Sequence, residues 1–542
     1  MRKYRLLVTL AAALALAVEL GQAAPDEALV KMDGDTLARF HFAGTAQVAV
    51  DPKAASIKEI GDLPETAVLR DQTLDKLATA PFRLVQEKIA NHGTNNYAPL
   101  IRPLLEDLLR VESYAEMRGP TNQVPELMLA AHLDNERAKV WQANLSTVLT
   151  AWTGIPVKEI QGEGYTGWEL RKHHDPNVVR CLRAGDWLLF GWGWDELKLQ
   201  PAFLQRIKEK KRPVEAARED WLDVSVDWPS FMAHHPFTLP SPLPAKLPKM
   251  HLTVQGRGTY IRPKLTMVYS EPLGLKMEQW KIPTKIINNP MVSFTAARGV
   301  APWLGDLPMV KELQPGAAPN QIFIWAMGGV PYETQFAAPV PGASNYLAQL
   351  APRLLAKLNT KSSSGMVSSQ SIWTNNQIVI GMPFLNPHLV AVREPAGDFL
   401  FGSLFPTPRR TNSTPLPQDL MKEIGSKPNL VYYDWEINQE RISQWEALSQ
   451  IYFMSLGLPL LNPASAGAKW LEAAKKKMGN CGTEITLTAP NELTLLRNAP
   501  VGFTGFELNL LENWLDAPGF PFSARHEPPS RPNFPKPAGA KK

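Results

Sequence analysis

The segment RAGDWLLFGWG at residues 183–193 recurs in altered form as PAGDFLFGSLF at residues 395–405. Each segment places Gly-Asp before a run of apolar residues, which is typical of a tight turn that opens a β-strand. Downstream of each lies a strand pattern that ends in Asp-Trp, VSVDW at 224–228 and VYYDW at 431–435. This repeated order predicts an internal duplication. The recurring positions are Gly185, Asp186, Asp227 and Trp228 in the first copy and Gly397, Asp398, Asp434 and Trp435 in the second.

Upstream segments extend the similarity between the copies. A Phe-centred strand pattern occurs as ARFHFAG at 38–44 and as MVSFTAA at 291–297. A strand pattern that follows a proline occurs as PELMLAAHL at 125–133 and as PNQIFIWAM at 319–327. Alternating apolar residues in these segments favour strands over helices.

One amphipathic helix is predicted after each proline-led strand, because apolar residues then recur at spacings of three and four. We expect Asn135 to cap the first helix and Gly154 to end it. In the second copy we expect Ser344 to cap the helix and Pro352 to kink it.

Strands joined by hairpins, with helices between groups of strands, predict an α+β fold. We expect two tandem related units in a pseudo-two-fold arrangement, each a mainly antiparallel sheet covered by helices on one face. The first unit spans 25–283 and contains an inserted helical hairpin between about Thr73 and Glu116, turning near His92–Asn96. The second unit spans 284–524. Each unit is expected to end in a strand pair and an apolar helix, LKMEQW at 275–280 and FELNLLENWL at 506–515.

With these two copies, the chain resembles large exported bacterial proteins of unknown function that are built from two copies of an α+β repeat. The resemblance rests on the order of strands, turns and helices. It implies no catalytic residues.

The two ends of the chain predict export and a flexible tail. Residues 1–24 combine the basic start MRKYR, an apolar run at 6–18 and small residues before a cleavage point, which is the pattern of a secretory signal peptide. We therefore expect a periplasmic or secreted protein that is soluble and does not span a membrane. Residues 525–542 are rich in Pro and basic residues and predict a disordered tail.

Charge and cysteine content limit the partners. The formal net charge of +5 resides mainly in the two ends, so the body is near neutral and a nucleic-acid partner is not expected. An envelope protein, a glycan or a lipid remain as possible partners. Cys181 and Cys481 could pair in an oxidising compartment, but two separate buried thiols are the favoured interpretation.

Motifs for catalysis or cofactors are not found. The sequence has no G-x-S-x-G elbow and no phosphate-binding loop, so no cofactor is predicted. The doublets at 173–174 and 234–235 are interpreted as polar loop histidines, and no metal site is predicted. The four recurring aspartates could supply the acid and base of a glycan hydrolase. Turn and helix-capping roles are favoured for them.

The sequence thus favours an exported, non-catalytic protein that binds or scaffolds. The alternatives are an extracellular glycan hydrolase with paired carboxylates and a lipid carrier. A strand with apolar residues on both faces, at 187–192, must lie inside the fold, so at least one of its tryptophans should be buried.

Overall fold

The structure is a computed structural model of the 542-residue chain. It describes residues 32, 34–86, 96–119, 125–173, 175–194, 196–214, 220–234, 247–313, 315–328, 333–361, 371–381, 387–404, 414–415, 418–455 and 462–522. The expected signal peptide at 1–24, the expected tail at 525–542 and the turn near His92 lie outside the described residues.

Antiparallel strands dominate the described part of the chain. The strands up to residue 268 are β1 (Thr36–Phe42), β2 (Ser113–Arg118), β3 (Glu126–His132), β4 (Lys158–Gly162), β5 (Tyr165–Arg171), β6 (Asn177–Ala184), β7 (Trp187–Trp194), β8 (Leu222–Asp227), β9 (Lys249–Arg257) and β10 (Tyr260–Val268). The later strands are β11 (Asn288–Asn289), β12 (Met291–Arg298), β13 (Gln321–Met327), β14 (Thr334–Pro339), β15 (Ile372–Thr374), β16 (Gln377–Val379), β17 (His388–Glu394), β18 (Gly397–Ser403), β19 (Thr414–Pro415), β20 (Leu430–Ile437), β21 (Asn480–Ala489) and β22 (Glu492–Asn498).

Helices lie between groups of strands. Those before residue 240 are α1 (Thr45–Val50), α2 (Ala55–Gly61), α3 (Pro64–Gln86), α4 (Ala98–Arg110), α5 (Asn135–Thr153), α6 (Leu199–Lys210) and α7 (Trp228–His234). Those after it are α8 (Ala301–Asp306), α9 (Pro308–Leu313), α10 (Ala343–Lys361), α11 (Gln418–Gly425), α12 (Asn438–Ser455), α13 (Ala466–Lys475) and α14 (Gly505–Asp516). The predicted α+β class is confirmed.

Twenty strands form one continuous sheet in which every pair is antiparallel. From one edge to the centre the order is β4-β5-β6-β7-β3-β2-β1-β8-β9-β10. From the centre to the other edge it is β22-β21-β20-β12-β13-β14-β18-β17-β16-β15. The β10–β22 pair joins these two sets of strands at the centre.

Both faces of the outer strands are covered, which explains the apolar run in β7. Leu188 packs with α5 on one face, while Trp187 and Leu189 pack with α6 on the other. Trp187 and Trp192 are both buried, so the expectation of a buried indole is confirmed. The sequence predicted helices on one face only, and this was wrong because α6 covers the second face.

Helix boundaries follow the predictions in part. Gly154 ends α5 in the left-handed conformation, as predicted, but the cap is Asp134, whose side chain accepts from the Arg137 amide. Asn135 is therefore the first helical residue. Ser344 lies inside the first turn of α10 and does not precede it, while Pro352 is inside that helix.

Three other assignments were wrong. The inserted hairpin forms as α3 and α4, but residues 113–116 belong to strand β2. PELMLAAHL forms β3 between β2 and β7, whereas PNQIFIWAM forms β13 between β12 and β14, so the two differ in position. LKMEQW at 275–280 is not helical, because its backbone bonds to side chains of the sheet. The Gln321 side chain, for example, receives a hydrogen bond from the Lys281 amide and donates one to the Gln279 carbonyl.

Candidate functional site

The two Gly-Asp pairs differ in local structure. Gly185 and Asp186 form the two-residue turn between β6 and β7, whereas Gly397 and Asp398 already belong to β18, after a turn at 395–396. Gly185 and Gly397 have φ of 59° and 130°, which favours glycine. The Asp186 carbonyl accepts from the Leu133 amide at 2.9 Å, and the Asp398 carbonyl accepts from the Val340 amide at 2.9 Å. Both aspartates bind through their backbone, and β7 and β18 lie on opposite sides of the sheet centre. They do not form an acid–base pair.

The two Asp-Trp aspartates differ in role. Asp227 is the last residue of β8, and its Oδ1 accepts from the Ser230 amide at 3.0 Å, so it caps α7 as predicted. Asp434 caps no helix, because β20 continues to Ile437. Thr295 Oγ1 instead donates to Asp434 Oδ1 at 2.6 Å. The tryptophans that follow are partly buried: Trp228 packs in the cluster around Val224 and Leu252, and Trp435 in the cluster around Phe294.

Asp434 belongs to a buried ionic cluster beneath α12 and α14. Glu436 lies on the same strand face, two residues along β20. Burial raises the pKa of Asp434, and burial together with the nearby Asp434 raises the pKa of Glu436 to about 7. Arg497 donates to Glu507 Oε2 at 2.6 Å and to Thr483 Oγ1 at 2.8 Å.

The groups of this cluster bind one another and the covering helices. Glu436 accepts from the Gly505 amide at the start of α14, and Glu507 forms a capping box with Thr504. Arg441 of α12 donates to Gln444 and lies 3.9 Å from Glu436. The cluster therefore anchors two helices to the sheet, which favours a structural role over acid–base catalysis.

Apart from this ionic cluster, polar residues line one face of the strands at the centre of the sheet. Residues that lie directly opposite one another in antiparallel strands share a face. One row of such residues runs through eight adjacent strands, and only Leu496 in it is aliphatic. The row consists of Tyr114, His41, Asp223, Thr253, Lys264, Leu496, Glu484 and Tyr433.

A second row runs beside the first on the same face. It consists of Glu116, Arg39, Ser225, His251, Thr266, Thr494 and Thr486, all of them polar. We call the two rows together the polar belt. The other face of these strands is apolar and includes Val224, Leu252 and Leu265. The central sheet therefore has one apolar and one polar face.

Hydrogen bonds and ion pairs connect residues at the end of the belt that is formed by β2, β1, β8 and β9. Glu112 Oε1 lies 3.1 Å from His41 Nε2 and accepts from the Tyr114 hydroxyl at 2.6 Å. These hydrogen bonds outweigh the effect of partial burial and lower the pKa of Glu112. His251 Nε2 lies 3.3 Å from Asp223 Oδ2, and both residues are buried.

A small cavity opens beside the other end of the belt, which is formed by β22, β21 and β20. Its volume is about 80 Å³, and its lining includes Glu423, Tyr433, Glu484 and Asn498. The Tyr433 hydroxyl donates to Glu423 Oε2 at 2.9 Å, and Lys427 binds Glu484. Pockets for whole ligands measure roughly 300–1,000 Å³. This cavity can therefore hold one small group of a larger ligand.

Sequence reasoning missed the polar belt. Its signal is the alternation of polar and apolar residues, which is strict in LDVSVD of β8 and holds for the first four residues of ELTLLRN in β22. Alternation of this kind shows that a strand has two unlike faces. It does not show which strands are neighbours, so the rows could not be assembled from the sequence.

Metal and thiol sites give no further candidate. Within the described ranges, no three His, Cys, Asp or Glu side chains are grouped to hold a metal ion. His173 is exposed, and His234 bonds to the Gly119 carbonyl. Cys181 and Cys481 are both free and buried, as the sequence favoured. No helix in the described part of the chain has the length and apolar character needed to cross a membrane.

Comparison with known proteins found no matching family model, no similar curated protein and no similar solved structure.

Proposed function

We propose that this chain is an exported, non-catalytic binding protein that recognises a glycan on the polar belt. The observation that carries the proposal is the continuity of the belt across the β10–β22 pair, where Thr266 and Lys264 lie opposite Thr494 and Leu496. Polar groups that lose water on binding cost free energy unless they find new hydrogen-bond partners. A ligand with many hydroxyl groups can bind the belt residues that reach solvent, such as Arg39 and Glu484.

The chemistry around the small cavity supports a sugar ligand. Carboxylates such as Glu484 accept hydrogen bonds from sugar hydroxyls, and the Asn498 amide can donate and accept. Glu484 retains 24% side-chain exposure and the Arg39 side chain 34%, so belt residues in both halves of the sheet reach solvent. A cavity of this size suits one substituent of a sugar ring.

We further propose that the binding face arose by duplication of one ten-strand unit about a pseudo-two-fold axis at the β10–β22 pair. Without the two-residue strands β11 and β19, ten strands lie before residue 269 and ten after it. When the ten strands of each half are counted along the chain, strands with the same count have matching neighbours in the sheet. Matching helices also lie on matching faces. In β7, Leu188 contacts α5 and Trp187 contacts α6. In β18, Leu400 contacts α10 and Phe399 contacts α11.

Export through a signal peptide at residues 1–24 remains part of the proposal. It rests on the sequence pattern of that segment. Mass spectrometry of the amino terminus of the protein recovered from the cell envelope or medium tests it, and a mature chain that still begins at Met1 would contradict it.

The glycan proposal is tested by binding to an array of envelope and extracellular glycans, followed by calorimetry with the best ligand. Because hydrogen bonds to charged groups contribute about 1.5–3 kcal/mol, we expect Glu484→Gln to weaken binding by about 10-fold or more. Asn498→Ala should also weaken it. Asp186→Asn, in an exposed turn far along the sheet, is the matched control and should bind like the wild type. Absence of any glycan binding, or equal affinity in all variants, would overturn the proposal.

A further inference from the structure

The inserted hairpin of the first half is tied to the carboxyl-terminal helices of the second half. Helix α3 makes most of these contacts. The Trp470 indole donates to Thr66 Oγ1 at 3.0 Å, and Lys76 Nζ donates to the Leu515 carbonyl at 2.6 Å. Further along α3, Arg83 donates to the Pro518 carbonyl at 2.8 Å. The stability of this joint therefore controls whether the hairpin stays docked.

A carboxyl pair lies at the middle of the joint. Glu512 and Asp516 are four residues apart on α14, so their side chains are neighbours on one helix face. Asp516 Oδ1 accepts from the Gln72 side chain at 2.9 Å, and Asp516 Oδ2 accepts from the Gly467 amide at 3.0 Å. Glu512 is only 4% exposed. The pair thus connects α3, α13 and α14.

Close packing leaves no room for a water layer between the α13 backbone and the pair. A methyl group at Gly467 would lie 2.4 Å from Asp516 Oδ2 and 3.1 Å from Glu512 Cγ. The α13 backbone therefore lies directly on both carboxyl side chains. A charge that forms here cannot be relieved by hydration without movement of a helix.

The charges that face Glu512 are mostly acidic. Asp516 lies on its own helix, and Glu446 faces it from α12. The nearest lysines have other partners: Lys76 of α3 binds the Leu515 carbonyl and interacts with Asp516, and Lys475 of α13 binds Glu446 and Glu472. An ionised Glu512 would therefore have like charges on two sides.

We propose that Glu512 and Asp516 form a proton-held latch that keeps the α3–α4 hairpin docked on α14 and releases it when the shared proton is lost. In the closed state the protonated Glu512 carboxyl donates to Asp516, and Asp516 holds Gln72 and Gly467. Loss of the proton to bulk water places two adjacent carboxylates under α13. Their repulsion is relieved by separation of α3 from α14.

The pH range of the switch follows from the surroundings of Glu512. Burial, together with Asp516 and Glu446, raises the pKa of Glu512 to about 8. The latch is therefore closed in neutral and acidic solution and opens in mildly alkaline solution. Glu436 titrates at lower pH and lies under a different part of α14, near Gly505. Local measurement at α3 separates the two groups.

Hydrogen–deuterium exchange of the full chain, followed by mass spectrometry, tests the latch. Because the intrinsic rate of amide exchange changes with pH, the exchange times are scaled to that rate at each pH from 6 to 9.5. In the wild type we expect peptides from residues 64–86 and 505–516 to lose protection about 10-fold or more between pH 7 and 9. Glu512→Gln keeps a neutral hydrogen-bonding group and should retain protection at pH 9.

Two further variants make the test decisive. Asp516→Asn removes the like charge and should also keep the hairpin docked at pH 9, even if Glu512→Gln fails to fold. Glu440→Gln, an exposed carboxylate in the first turn of α12, should behave like the wild type. Protection of α3 that does not change with pH in the wild type, or changes equally in Glu512→Gln and Asp516→Asn, would overturn the proposal.

Discussion

Thr266 of β10 lies directly opposite Thr494 of β22 in the pair of strands that joins the two halves of the sheet. Both threonines are buried on the polar face. On the other face of the same strands, Leu265 lies opposite Leu495. The central pair therefore combines a polar surface on one side with apolar packing on the other.

This packing at the centre predicts that Leu265 stabilises the joint. Leu265→Ala removes buried methyl groups and leaves a cavity, so we expect the free energy of unfolding to fall by about 2–5 kcal/mol. Chemical denaturation followed by tryptophan fluorescence measures it. Lys264→Ala, next along β10 on the polar face and only partly buried, is the control and should cost about 1 kcal/mol or less. Equal losses in both variants would contradict this account of the central strands.

The buried ionic cluster predicts a large effect for Arg497. Arg497→Met leaves Glu507 without its ion-pair partner and removes one of the two arginines near Asp434, so we expect a loss of about 3–5 kcal/mol in the free energy of unfolding. Arg70→Met breaks an exposed ion pair with Asp71 and should change it by less than about 1 kcal/mol. A small effect of Arg497→Met in urea denaturation would mean that the cluster does not anchor α14.

The raised pKa of Glu436 predicts a pH dependence of stability. The folded state holds this proton up to about pH 7, whereas an unfolded glutamate loses it near its ordinary value of 4.5. The folded state thus binds more protons in this interval, and Glu436 makes stability fall as pH rises from about 4.5 to 7. Glu436→Gln should flatten the curve there. Exposed Glu440→Gln should leave the curve as in the wild type.

The two cysteines predict thiol reactivity that depends on unfolding. Both thiols are buried, and burial raises the pKa of each, so few thiolates form at neutral pH. We expect slow reaction with a disulfide reagent in the native state and rapid release of two equivalents in denaturant. Cys181→Ser and Cys481→Ser should each release one equivalent. A denatured wild type without reactive thiols would indicate a disulfide.

The sequence predicted local features well where a single segment determines them. The turn at Gly185-Asp186, the buried strand at 187–192 and the left-handed end of α5 at Gly154 depend on residues close in the chain. The second Gly-Asp pair was placed one step off, because the turn before β18 is at 395–396 and Gly397 already begins the strand. Assignments that depend on strand position failed more often. Asp434 resembles Asp227 in its segment, yet it lies three residues before the end of a longer strand and is buried in an ionic cluster.

The polar belt could not be predicted because it exists only after the strands are ordered. His41 of β1 lies far along the chain from Asp223 of β8 and His251 of β9, yet the three strands are adjacent in the sheet. A two-residue period gives the faces of a strand but not its neighbours. The same limit explains why PNQIFIWAM was matched with the wrong strand.

The β10–β22 pair also conceals two strand edges that would otherwise be open. A half of the chain produced alone would carry a long unpaired border, with Leu265 or Leu495 and rows of free backbone donors and acceptors beside it. Such a border recruits any complementary strand, including that of an identical fragment. Covalent linkage of the halves in one polypeptide gives each border a built-in mate and protects both from self-association.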